Sequence, residues 1–196
     1  GFIHVSGSSL SKGTAAVLDA WQKHPEWPEL RLVANSQLAE RPLPTNVTHY
    51  RNISDEELNT LWRTSRFAVI PSEVEGYGQV LGEAMKAGAV LITTDAPPMN
   101  ELVSPDRGYL VPFRKTQPFR LGTRYYVCSD DLVSVITSAL NDTPQVVDRK
   151  EKTASEWILS NHTAFKQRLS ELMSAPEAIK AGNEIPVPHE SAASRH

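Results

Sequence analysis

Two apolar patterns alternate along the chain. Residues 2–6, 30–34, 67–71 and 89–92 are short runs dominated by apolar and branched side chains, as strands buried on both faces require. Residues 47–50 and 109–111 read as shorter strands. Between these runs the spacing becomes helical. Residues 12–23 turn Val17, Ala20 and Trp21 to one side, with Ser11 placed as an N-cap. Ser54-Asp55-Glu56-Glu57 has the form of a capping box and opens a helix ending near Ser65. Val80, Leu81, Ala84, Met85 and Gly88 fall at i, i+1, i+4, i+5 and i+8. That is one buried helical face, closed by a glycine where a left-handed residue belongs. Residues 100–103 predict a short helical turn after Pro97 and Pro98, and residues 129–141 a further helix. Residues 147–173 predict a long amphipathic helix anchored by Trp157, Phe165, Leu169 and Leu172.

Strand–helix alternation of this kind predicts a doubly wound α/β domain with a mostly parallel sheet. We expect it to span residues 1–174, C-terminal helices included, followed by a disordered polar tail over 175–196, where prolines and polar residues dominate. Two stretches give no regular period. Residues 35–46 read as a polar loop. Residues 113–126 mix Arg114, Lys115, Arg120 and Arg124 with Phe113, Phe119, Tyr125 and Tyr126. They read as a surface loop whose aromatics pack on the sheet, or as a basic loop near phosphates.

Composition narrows the classes. The 196 residues are enough for one domain with a full core, and 40% apolar with 22% charged residues is ordinary for a globular chain. A net charge of −3 gives no general attraction to nucleic acid or anionic lipid. One cysteine, Cys128, excludes an internal disulfide and suits a reducing compartment. With no apolar run of membrane-spanning length and no signal-peptide pattern, a cytoplasmic location is expected. The start at Gly-Phe-Ile, without Met and already strand-like, suggests a fragment or a processed chain.

The chemistry concentrates at residues 75–87, EGYGQVLGEAMKA, between two predicted strands. Turns after the carboxyl ends of parallel strands are where open sheets bind ligands. Glu75 lies in the turn and Glu83 in the helix, with seven residues between them, and Glu83 shares a face with Gln79 and Lys86. A ligand over the helix start could touch both carboxylates and the free amides near Gly78 and Gln79. Gly76 and Gly78 would let the backbone come close to it. Lys12 sits at a helix start, the wrong end for a cation unless an anion neutralises it.

This arrangement resembles the E-x7-E signature of retaining GT-B glycosyltransferases, the group 1 or family 4-like enzymes that use nucleotide sugars. The resemblance extends to SGSSLSKG at 6–13, NISDEELNTL at 52–61, DAPPMNELV at 95–103 and GYLVP at 108–112. It implies the C-terminal, nucleotide-sugar-binding half of such an enzyme, with the acceptor-binding half supplied elsewhere, from an N-terminal domain or a partner chain. It implies a UDP-, GDP- or ADP-linked donor and no metal or other cofactor. By resemblance, Lys12 meets the diphosphate and Glu75 the transferred sugar, these two carrying catalysis. Glu83 meets the ribose. Tyr50 and Arg51, with Asn52 and Ile53, lie where related proteins hold the nucleobase. Gly76, Tyr77, Gly78 and Gln79 complete the donor contacts. The usual pattern has an arginine near Ser8 and a longer turn, so Ser8, Ser9 or backbone amides would take over one phosphate contact. Glu101 resembles a family acidic position or caps the short helix. His4 reads as structural.

Two other classes fit parts of the pattern. A non-catalytic nucleotide-sugar-binding module would explain a lone half and the missing arginine. A dinucleotide-binding oxidoreductase domain would use Gly76, Gly78 and Asp95, although its third glycine would be misplaced at Gly82.

Overall fold

The computed structural model describes residues 1–35 and 42–174. The expected disordered tail, and half of the expected loop at 35–46, therefore lie outside the described residues. Six strands form one parallel sheet: β1 (Phe2–Gly7), β2 (Leu30–Ala34), β3 (Val47–Tyr50), β4 (Phe67–Ile70), β5 (Val90–Thr94) and β6 (Gly108–Val111). Their order is β3-β2-β1-β4-β5-β6. The helices are α1 (Thr14–Lys23), α2 (Asp55–Arg63), α3 (Gln79–Lys86), α4 (Met99–Leu102), α5 (Ser129–Asn141) and α6 (Pro144–Ser174). This is the expected doubly wound α/β sheet.

Every central strand is buried on both faces because its residues alternate between two cores. Phe2, Phe67, Val69, Val90 and Ile92 pack with Val17 and Trp21 of α1 and Leu132 and Ile136 of α5. Ile3, Ala68, Ile70 and Leu91 pack on the other face with Trp62 of α2, Leu81 and Met85 of α3, and Ala154 and Ile158 of α6. Period-two alternation thus feeds two helical layers.

The capping box of α2 is formed as expected: Glu57 N–H donates to Ser54 Oγ, and Ser54 N–H donates to Glu57 Oε2 at 2.8 Å. Gly88 follows α3 with φ 86, and Ala89 N–H donates to Ala84 O at 3.0 Å, closing the helix as expected.

Three expectations change. Ser11 does not cap α1. The helix starts two residues later than expected, after Gly13 at φ 69, and the Ser11 carbonyl instead accepts from Glu73 N–H at 2.9 Å. A Cβ on Gly13 would lie 2.3 Å from Pro71 O, so the loop after β1 is pressed against the loop after β4. Residues 113–126 form a hairpin rather than an irregular loop: β7 (Lys115–Phe119) pairs antiparallel with β8 (Gly122–Tyr126) in a separate sheet. Finally, Phe165, Leu169 and Leu172 do not anchor α6; they are 46%, 48% and 69% exposed. The buried anchors are Val147, Ala154 and Ile158. Helical period identifies residues that share a face, but not what covers the face. The chain divides into two compact units, Gly1–Leu159 and Ser160–His196. Of the second, the described residues are the last turns of α6.

Candidate active site

Strand order reverses between β1 and β4: the chain winds outward through β2 and β3, then returns to β4 and continues through β5 and β6. Ligands of open α/β sheets bind outside the carboxyl ends of strands at such a point. Here the ladder between the two strands covers only Phe2↔Phe67 and Ile3↔Ala68, so the strands part toward their carboxyl ends. His4 fills the gap. Its Nδ1–H donates to Val69 O at 2.6 Å, which leaves Nε2 to accept from Thr14 Oγ1–H at 2.9 Å. Burial lowers the His4 pKa to about 4, so the imidazole is a neutral brace between β1, β4 and α1, the structural role expected of it.

Two helices begin at this crevice. α1 and α3 have neither a capping side chain nor an acidic residue in the first turn, and each follows a left-handed glycine, Gly13 or Gly78. By contrast, α2 and α5 have both a capping side chain and acidic first turns. At α3, whose first residues line the cavity described below, no acidic side chain of its own first turn offsets the partial positive charge of the amides.

Lys12 and Glu75, 63 positions apart, form an ion pair here. Their side chains retain only 16% and 8% of their exposure, and Glu75 Oε1 also accepts from Ser72 Oγ at 2.6 Å. The anion that offsets Lys12 is thus Glu75. Four residues into α3, Glu83 Oε1 accepts from Gln79 Nε2 at 2.9 Å. A cavity of about 290 Å³ joins Ser6, Gly7, Lys12, Glu75, Gln79 and Glu83. On its far side Gln79 and Glu83 also border a groove of about 700 Å³ between α2 and α3.

The two glycines of the turn differ. A Cβ on Gly78, at φ 72, would lie 2.4 Å from Leu102 Cδ1, so this glycine serves the packing of α3. Gly76 is exposed, and no atom lies within 4 Å of its would-be Cβ. Tyr77 is 71% exposed. Ser8 and Arg51 are exposed, whereas Tyr50 is half-buried and packs against the α2 and α3 core. None of these three lines the cavity that holds Lys12, Glu75 and Glu83. Glu101 is exposed in the first turn of α4.

The sequence reading missed two serines. Ser72 is buried and holds Glu75. Ser6 is 5% exposed, lines the cavity, and its Oγ has no hydrogen-bond partner among the described residues. A serine at the carboxyl end of the first strand, where open sheets bind ligands, is the available signal. Further out, Glu73 has its carboxyl pKa raised by burial, against the pull of Arg124 at 3.8 Å. Among the described residues there is no cluster of three or more His, Cys, Asp or Glu able to hold a metal ion, and no helix is long and apolar enough to cross a membrane.

A reversed-order parallel sheet with two helix starts at its crevice defines a Rossmann-like domain of the kind found in GT-B glycosyltransferases. More particularly, residues 9–122 match the model of the glycosyl transferases group 1 family, and the chain belongs to that family. A relative is the GDP-mannose:cellobiosyl-diphosphopolyprenol alpha-mannosyltransferase of Xanthomonas oryzae, 34% identical over 112 residues. The match covers 49% of this chain and 29% of the relative, so the chain spans less than a third of that protein's length. Among solved structures, the C-terminal domain of the group 1 glycosyl transferase LpcC from Francisella tularensis has a TM-score of 0.63 at 17% identity, covering 82% of this chain and 85% of that one. Anabaena HepE in complex with UDP and glucose has a TM-score of 0.62 at 20% identity, covering 87% of this chain and 48% of that one.

Proposed function

We propose that this chain is the donor-binding half of a retaining GT-B glycosyltransferase that moves a hexosyl group from a nucleoside diphosphate sugar to an acceptor. The observation that carries this reading is the crevice itself. One cavity joins Lys12, Glu75 and Glu83, and the start of α3, which has no capping side chain, lines it. Family membership supplies the reaction class, and the names of two similar proteins support the donor class, one a GDP-mannose enzyme and the other a UDP complex.

In this reading the ribose lies against Glu83, the diphosphate over the helix starts and Lys12, and the sugar against Glu75 and the bare backbone of Gly76. Lys12 and the amides neutralise the departing diphosphate, a task that otherwise falls to a metal ion. Lys12 turns from Glu75 toward the phosphates, freeing the Glu75 carboxylate to accept sugar hydroxyls. Ser72 keeps that carboxylate in place throughout. The Ser6 Oγ, which has no partner among the described residues, supplies one further hydrogen bond where the family pattern offers an arginine. Glu75 and Glu83 are binding groups and not the acid and nucleophile of a glycosidase. Tyr50 and Arg51 flank the nucleobase end, beyond the cavity. The acceptor half comes from elsewhere.

Titration calorimetry with UDP, GDP, ADP and NAD, in the presence of a chelator, tests the donor reading. One nucleoside diphosphate should bind without metal, and Lys12→Ala should weaken it by about 1–3 kcal/mol, the range of a charge-assisted contact. Unchanged affinity in Lys12→Ala, or binding of NAD alone, contradicts it.

A further inference from the structure

The hairpin β7–β8 takes no part in the grouping of Lys12, Glu75 and Glu83, yet it is tied to the same loops. Ser11 O accepts from Glu73 N–H at 2.9 Å, and Glu73 O accepts from Tyr125 N–H at 2.7 Å. Phe113 packs edge-on against Tyr125 at 5.0 Å. These contacts fix the hairpin relative to both Lys12 and Glu75. Its tip then walls a second cavity of about 610 Å³, with Lys12, Glu75 and Gly76 on the opposite side. A volume of that size lies within the ordinary range of small-molecule sites, about 300–1,000 Å³. Lys12 and Glu75 border this cavity and the smaller one. The two spaces are therefore successive, with Glu83 at one end and the hairpin tip at the other.

The tip has a definite chemistry. Phe119 receives the guanidinium of Arg124 at 4.0 Å, and Arg124 is also answered by Glu73. Arg120 lies over the same ring at 5.3 Å but forms no ion pair among the described residues. Its backbone is held at φ 53, which turns the chain at the tip, and it lines the cavity. Beside it Leu121 is wholly exposed. An unanswered guanidinium and a bare leucine at the rim suit a ligand that carries an anionic group next to an apolar or ring surface.

We propose that the hairpin tip is a subsite for an anionic group, phosphate or carboxylate, borne by the substrate on the far side of Glu75 from the nucleotide, with Arg120 as the residue that selects it. This rests on the donor reading, because that reading makes the Glu83 end the nucleoside end. It adds a specificity determinant that the core site lacks: a neutral substrate would leave Arg120 unmatched.

The test is a titration of the chain, saturated with whichever nucleoside diphosphate it binds, using glucose 6-phosphate, glucose and inorganic phosphate as probes. Glucose 6-phosphate should bind at least about tenfold more tightly than either of the others, about 1.4 kcal/mol. Arg120→Asn, which tolerates the left-handed backbone, should abolish that advantage while nucleotide affinity stays within about twofold. Arg120→Lys should keep most of it. Equal binding of inorganic phosphate would mean an adventitious ion only, and an advantage that persists in Arg120→Asn would place the anion elsewhere; either overturns the proposal. Displacement of the nucleotide by glucose 6-phosphate would overturn it too. If no nucleoside diphosphate binds, the donor reading fails by itself, and the same series on the unloaded chain still decides the role of Arg120.

Discussion

His4 bridges β1 and β4 where the two strands part. It must be neutral to donate to Val69 and accept from Thr14 within the core. Its pKa of about 4, against an ordinary 6.5, means that the unfolded chain binds a proton between those values that the folded chain refuses. The stability it confers is full above pH 6.5 and is lost as pH falls toward 4, by up to about 3 kcal/mol at 1.36 kcal/mol per unit. Urea unfolding should show that slope, and His4→Gln should flatten it; parallel slopes in the two proteins would contradict the assignment. At this scale the sequence reading recognised His4 as structural and singled out Lys12, Glu75 and Glu83. It could not see that Lys12 and Glu75 pair, because only the crossover of the sheet brings them together. Ser11 was misread because its local spacing suits a cap, while a distant contact, Glu73 N–H, decides its use. Ser8, Tyr50 and Arg51 come from the family resemblance alone, and they lie outside the cavity that holds Lys12, Glu75 and Glu83.

Among the elements, α3 carries the site, and its two leading glycines separate fold from ligand. Gly78→Ala places a methyl against Leu102 at a positive φ and should destabilise the domain by about 1–3 kcal/mol. Gly76→Ala meets nothing and should leave stability within about 0.5 kcal/mol. It should nevertheless weaken binding of a sugar-bearing donor, whose sugar lies over that backbone. Thermal unfolding and a donor titration of both variants check this; equal destabilisation would refute the distinction. Most elements were legible, since unbroken strands and 3.6-residue spacing are strong local signals. The hairpin was not. Pro118 argues against a strand, and its tip turns on Arg120 rather than on glycine or asparagine. Nor was the exposure of Phe165, Leu169 and Leu172, because periodicity is silent about what lies opposite a face.

For the whole molecule, sheet order is what turns scattered residues into a site. The reversal between β1 and β4 brings the loops after them together, and the direction from Glu83 through Lys12 to Glu75 becomes the proposed direction of the donor, from nucleoside to sugar. That polarity is the central claim, and a paired titration of two variants tests it most directly. Glu83 should touch the ribose, so Glu83→Gln should weaken the nucleoside diphosphate and its sugar conjugate alike. Glu75 should touch only the transferred sugar, so Glu75→Gln should leave diphosphate affinity intact and weaken the sugar-bearing donor selectively. If Glu75→Gln weakened both ligands equally while Glu83→Gln weakened neither, the placement of the donor across this crevice would be contradicted.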